Sequence, residues 1–255
     1  MRKLIVLVLV AVAGLVFAAV AFGAAATTLD VGISPNKASK KKKPTAASLK
    51  VNVAFSDPAL PQPPPLRKVV IRLSKGGTYN GKLFPKCKAA NLLSKGRKGC
   101  SSKSQIGSGT STASAKPIID LVNAKLYLFN GELQGGKPSV IIYAIPDISS
   151  PLTVTGTVEK KPTTSCANGQ GQCDYNIIFN VPDIPTLPNA PPASVLTVNT
   201  TTKKMFIKKK KKGKTVKIPL VGTPTVCKGT WVADSTVNFA DGQTATAVDS
   251  APCKK

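Results

Sequence analysis

Six cysteines, Cys87, Cys100, Cys166, Cys173, Cys227 and Cys253, carry the most readable chemistry in this chain. Thiols in an even set either pair with one another or hold a metal. Their spacing lacks the close ligand pairs of zinc sites, and the chain contains no histidine. The missing imidazole also removes Ser-His-Asp and Cys-His catalysis and the side chain that titrates by default near neutral pH. The cysteines therefore read as three structural disulfides, with no metal and no cofactor expected. Many pairings are open to six cysteines. Sequential pairing reads best, because each neighbouring pair brackets a plausible loop: a Lys- and Gly-rich stretch between Cys87 and Cys100, a short turn between Cys166 and Cys173, and the last β-region between Cys227 and Cys253.

The other reactive types form no constellation. Asp120, Glu132, Asp147, Glu159, Asp174 and Asp183 are the acids from which a hydrolase pair would come, yet nothing in their spacing places two on one cleft. Asp147 and Asp183 stand in Pro-Asp-Ile turns, where an aspartate ordinarily bonds its own backbone. Ile106-Gly107-Ser108-Gly109 is glycine-rich but leads into a strand, so it does not read as a phosphate cradle. Trp231 reads as a core residue near a disulfide, and a sugar-stacking role for it or Tyr79 is the sharper alternative.

Lysine is the residue type in excess. The chain has 36 Lys+Arg against 11 Asp+Glu, a formal net charge of +25. The excess is segregated: residues 58–119 hold 12 basic residues and no acid, and residues 184–233 hold ten lysines and no acid. Lys40, Lys41, Lys42 and Lys43 form one run. Lys208, Lys209, Lys210, Lys211 and Lys212, followed by Gly213 and Lys214, form the densest and read as the tip of a hairpin. Such ammonium groups must sit in water, because unpaired burial is prohibitive. They either keep the chain soluble and guard strand edges or attract a polyanion. Lysine far outnumbers arginine and aromatics are few, which suits diffuse attraction and not sequence-specific nucleic-acid recognition.

Elements that position these groups follow from the apolar pattern. Met1-Arg2-Lys3 precedes an uncharged apolar run and the small residues Gly23–Ala26, the form of a signal peptide over 1–26. Cuts after Gly23 and after Ala26 both fit, and Leu4–Ala26 is also long enough to remain as an anchor. Residues 27–47 read as a basic flexible linker. Residues 48–255 read as a single β-sandwich domain, with the Pro-rich 181–192 as candidate hinge. Period-two alternation marks strands at Ser48–Phe55, Arg67–Leu73, Gln105–Ala115, Ile118–Phe129, Ser139–Ile145, Leu152–Glu159, Tyr175–Val181, Val195–Asn199, Met205–Ile207, Thr215–Leu220, Val226–Phe239 and Thr244–Val248. Turn signals, among them Asn130-Gly131 and Gly135-Gly136, separate them. The fold class is all-β, a mainly antiparallel sandwich of immunoglobulin-like or jelly-roll-like type, with a short helical insertion at Ala89–Lys95 inside the 87–100 loop.

Leu83-Phe84-Pro85-Lys86-Cys87, Cys100 and Gln105-Ile106-Gly107-Ser108-Gly109-Thr110, with Cys227-Lys228-Gly229-Thr230-Trp231 and Pro252-Cys253, resemble a pattern in uncharacterised secreted actinobacterial β-proteins. The resemblance implies an exported, disulfide-bonded β-protein and brings no catalytic residues. The expectation is thus a non-enzymatic protein of the cell envelope or exterior, held to an anionic wall polymer or membrane surface by Lys40–Lys43 and the 203–217 hairpin. A carbohydrate-binding or adhesion module is the alternative, and a hydrolase with an Asp/Glu pair ranks below it.

Overall fold

The computed structural model describes residues 24–40, 45–166, 172–184, 191–211 and 213–255. Its strands are β1 (Ala26–Ser34), β2 (Ser48–Ser56), β3 (Leu66–Ser74), β4 (Thr78–Tyr79), β5 (Gln105–Ala115), β6 (Ile119–Gln134), β7 (Lys137–Pro146), β8 (Leu152–Ser165), β9 (Gln172–Asn180), β10 (Ser194–Thr202), β11 (Phe206–Lys211), β12 (Lys214–Pro219), β13 (Val221–Gly222), β14 (Thr230–Phe239) and β15 (Thr244–Pro252). One α-helix, α1 (Ala89–Lys95), interrupts them among the described residues.

Eleven strands pair in one unbroken antiparallel series, β1-β2-β10-β5-β6-β7-β8-β9-β3-β14-β15. The expected all-β antiparallel body is there. The pairing does not divide into two clear sheets, and the series curls into a nearly closed barrel whose first and last strands meet. Strands β9 and β10, on either side of the candidate hinge, belong to this same sheet.

An odd number of alternating strands leaves the first and last running the same way, so the β1–β15 seam is parallel. The backbone bridge at its end, Lys37 with Lys254, is parallel too. Along the seam, side chains replace a ladder. The Val31 amide donates to Asp249 Oδ2 at 2.6 Å and the Ala25 amide donates to Gln243 Oε1 at 2.6 Å.

Alternation decides what faces inward. Leu49, Val51, Val53 and Phe55 of β2 are buried while Lys50 and Asn52 between them face out. On β6, Val122, Ala124, Leu126 and Leu128 turn inward. Phe129 of the same strand joins Ile141, Tyr143, Leu92 and Cys87 in an outer cluster beneath α1. This helix lies in its expected place. Gly96, at φ +61°, ends it in a conformation that other residues rarely adopt. The Arg97 guanidinium then sits 4.1 Å from the Tyr127 ring centre.

Two expectations need correction. The span read as a flexible linker supplies a nine-residue strand, β1, paired with β2 from Ala26↔Ser56 to Ser34↔Ser48. Leu29 and Val31 are buried in the core, and that burial fixes a segment whose polar neighbours look like linker. Asn130-Gly131 is likewise no turn. Both lie within β6, and the chain reverses at Gly135-Gly136, where φ is +55° and +76°.

Candidate functional site

The barrel has two unlike ends. At one end, where β2 begins and β10 finishes, β4 pairs with β13 and the 78–85 segment forms a plug. Phe84 and Leu220 pack against Ile106, Leu128, Val140 and Val158 from the barrel wall. Asn130, with no exposed surface, holds the plug in place. Its Nδ2 donates to the carbonyls of Gly81 (3.0 Å) and Pro85 (2.9 Å), and its Oδ1 accepts from the Tyr79 hydroxyl at 3.0 Å. Burial pushes the Tyr79 phenol well above its ordinary range, so it stays a donor.

From this plugged end projects a two-stranded sheet of β11 and β12. The hairpin is as expected, but its lysines are distributed differently. Lys208–Lys211 lie along β11, so the side chains of Lys208, Lys209 and Lys210 alternate between the two faces and do not share one tip. Lys208 stands opposite Lys217, and Lys211 opposite Lys214. Like charges directly opposite destabilise a ladder. Among the described residues none of Lys203, Lys204, Lys208, Lys209, Lys210, Lys214 and Lys217 forms an ion pair. Lys217 Nζ rests 4.9 Å from the Phe206 ring centre. Lys212 lies outside the described residues, as do Lys41, Lys42 and Lys43.

Lys40 is exposed at the same end. It follows Ser39, whose amide donates to Pro224 O and whose Oγ lies 2.7 Å from Thr223 Oγ1. Lys37 and Lys254 bridge beside it. At the opposite end, Arg67 pairs with Asp183 at 2.6 Å and Lys116 with Asp120 at 3.9 Å. The positive charge is therefore concentrated on the plugged end.

All three disulfides are sequential: Cys87–Cys100, Cys166–Cys173 and Cys227–Cys253. They cluster toward the plugged end. Cys166, Cys173 and Asp234 gather closely enough to suggest a metal ligand set. The two sulfurs are bonded to each other, so they offer no thiolate.

The six acids considered for hydrolysis are spread over both ends. Asp120, Asp147 and Asp183 lie at the ends of β6, β7 and β9 away from the plug, and Glu132, Glu159 and Asp174 lie toward it. Asp183 spends its carboxylate on Arg67, and Glu159 takes Lys137 at 2.6 Å. Trp231 is buried, its Nε1 donating to Val226 O at 2.8 Å, and Tyr79 is held by Asn130. Neither forms an exposed sugar platform. The glycines of 106–109 serve packing: a Cβ on Gly109 would collide with the Asn199 carbonyl of β10.

The barrel's interior is the feature that the sequence pattern did not expose. It holds a cavity of about 270 Å3 lined mainly by apolar side chains. Protein interiors ordinarily hold few voids larger than a water. Ile142, Val154 and Val198 point inward yet are only partly buried, because they face this space. No family model, curated protein or solved structure matches the chain.

Proposed function

We propose that this is an exported, non-enzymatic envelope protein held to anionic wall polymers by its plugged, lysine-rich end. The observation that carries the reading is the β11–β12 hairpin. Only its base, Ile207 and Pro219, packs on the barrel core; beyond that it places Lys208 against Lys217 and Lys211 against Lys214, and no ion pair neutralises Lys208, Lys209, Lys210, Lys214 or Lys217. A strand that opposes like charges loses stability unless a counter-charge arrives. A polyanion supplies that counter-charge, and lysines near an anionic surface each contribute about 1 kcal/mol. Three disulfides fit an oxidising compartment outside the cytoplasm.

Export carries its own corollary. Ala25 is buried in the core and its amide bonds Gln243, so a cut after Gly23 keeps the seam whole, whereas a cut after Ala26 removes this one of its bonds. The intact mass of the secreted protein is expected to correspond to Ala24 as first residue.

The test of adhesion is binding to isolated wall sacculi, with and without their anionic polymers, from low to high salt. Binding is expected to vanish with the polymers, fall steeply with salt, and weaken when Lys208, Lys209 and Lys210 become glutamine. Vesicles of phosphatidylglycerol serve as the membrane arm. Binding that survives high salt and polymer removal would overturn the reading.

A further inference from the structure

We infer that the barrel interior is a binding site for one long hydrocarbon chain, taken up at the end opposite the lysine hairpin. This goes beyond wall adhesion and does not depend on it. The cavity is large for an apolar void: an engineered one of about 150 Å3 stays dry and takes benzene or xenon, and this one holds about 270 Å3. Water gains little along most of its length, because a buried water needs two or more polar partners and the lining is mainly apolar, with serine and threonine at only a few positions such as Thr78 and Ser111.

The shape selects the ligand. Lining residues run from Leu128 and Ile106, beside the plug, to Ile148 and Ile184 at the far end. On β6 alone the inward positions from Val122 to Leu128 cover about 20 Å at the usual strand rise of roughly 3.4 Å per residue. A modest volume drawn out over that length is a narrow bore, suited to one extended chain and too thin for a fused ring system. Ala124 of β6 and Ala144 of β7 keep the bore open at mid-height, where larger aliphatics would close it.

One end of the bore is shut and the other reaches the surface. Phe84, Leu220 and the Asn130 hydrogen bonds close the plugged end. At the other end Ile148 lines the cavity while remaining 50% exposed. Leu60 and Ile118, on the loops that follow β2 and β5, are exposed at this same end. The chain enters past this apolar rim with its head group left in water, so recognition rests on the chain and not on the head.

The experiment titrates the secreted protein with a fluorescent polyene fatty acid and displaces it with saturated acids from octanoate to palmitate. Affinity is expected to rise about fourfold per added methylene until the bore is full. Phosphatidylglycerol and phosphatidylcholine vesicles, offered in parallel, separate a membrane lipid from a free acid as the source of the chain. Ala144→Phe, which fills the bore, is expected to lower affinity by at least about tenfold. Ile148→Lys, on the exposed rim where folding is not at stake, is expected to slow uptake. The Lys208, Lys209 and Lys210 to glutamine variant is expected to take up the probe like the parent, which keeps this result separate from wall adhesion. Affinity independent of chain length, no uptake of any probe, or unchanged uptake by both Ala144→Phe and Ile148→Lys overturns the inference.

Discussion

The two ends of the barrel handle free energy in opposite ways. The plugged end is tied down by Asn130, by three disulfides and by the β4–β13 pairing, and it presents unneutralised charge on top of that rigid base. The far end pairs two of its basic residues, Arg67 with Asp183 and Lys116 with Asp120, and presents apolar side chains beside a bore. Repulsive charge is tolerated where covalent links offset it. The apolar bore runs from beside the plug to the opposite end, where none of the disulfides lies. The comparison teaches that the two ends differ in surface character, one carrying unpaired lysines and the other apolar side chains.

The largest break comes from untying the plugged end. Replacing Cys227 and Cys253 by serine reopens a loop with a sequence separation of 26. The chain-entropy relation puts its contribution at about 3.5 kcal/mol. Thermal unfolding should show that loss in the double variant, with probe uptake by the remaining folded protein unchanged. Asn130→Ala is expected to cost about 3 kcal/mol, because it orphans the Gly81 and Pro85 carbonyls and the Tyr79 hydroxyl together. If Asn130→Ala is neutral in the same unfolding measurement, the plug is not what sets the two ends apart.

The seam joins the two ends and comes next in size. Asp249 holds the Val31 amide with a charged acceptor, whereas Gln243 holds the Ala25 amide with a neutral one. Asp249→Ala is expected to lower stability by about 2 kcal/mol and Gln243→Ala by about 1 kcal/mol. Hydrogen exchange of the β1 amides should rise in both variants, more in Asp249→Ala. Equal costs would mean that the seam is held by packing of Val31 and Leu29 alone.

How far the sequence anticipates this molecule differs by element. Period-two burial in β2 and the inward row of β6 are legible directly, and so is the Gly-terminated helix between Cys87 and Cys100. Strand β1 carries the same signal in Leu29, Val31 and Ile33, but small residues before it and a lysine run after it disguise it as linker. Asn130-Gly131 has turn chemistry and yet serves as a buried fastening, because the plug it holds comes from residues 79–85, far away in sequence. Lysine has low strand propensity, so a run of it looks like a loop tip until pairing with Lys214–Pro219 places it in a ladder. The cavity was least legible of all. Alternation tells which side chains face inward, but the width of a bore depends on how many strands close around it. That number follows from distant pairings such as β3 between β9 and β14.

A smaller effect sharpens the contrast in charge. Changing Lys208, Lys209 and Lys210 to glutamine removes the Lys208–Lys217 repulsion. Stability is expected to rise by about 0.5 kcal/mol while wall binding falls. A purely solubilising hairpin predicts a different pair of outcomes, with aggregation on concentration and unchanged wall binding. Denaturant titration beside sacculus binding separates the two.

The smallest effect tests whether a neutralised lysine behaves differently from those on the hairpin. Asp30 on β1 accepts from Lys50 Nζ at 3.0 Å and Asn52 Nδ2 at 2.9 Å. The Lys50 hydrogen bond, aided by Asn52, holds its carboxyl below the ordinary value despite some desolvation. A group whose folded pKa is lowered stabilises the fold above its unfolded pKa, about 3.9 for aspartate. That contribution disappears as pH falls through the lower folded value. Both partners are largely exposed, so the contribution is expected to stay below about 0.5 kcal/mol. Asp30→Asn should therefore lower the melting temperature slightly at neutral pH and not at all in strong acid, with added salt shrinking the difference. Melting curves of the two proteins across that range check it. A gap that persists in acid would mean that Asp30 acts through the shape of β1 and not through its charge, and Lys50 would then be as unneutralised as the lysines of the hairpin.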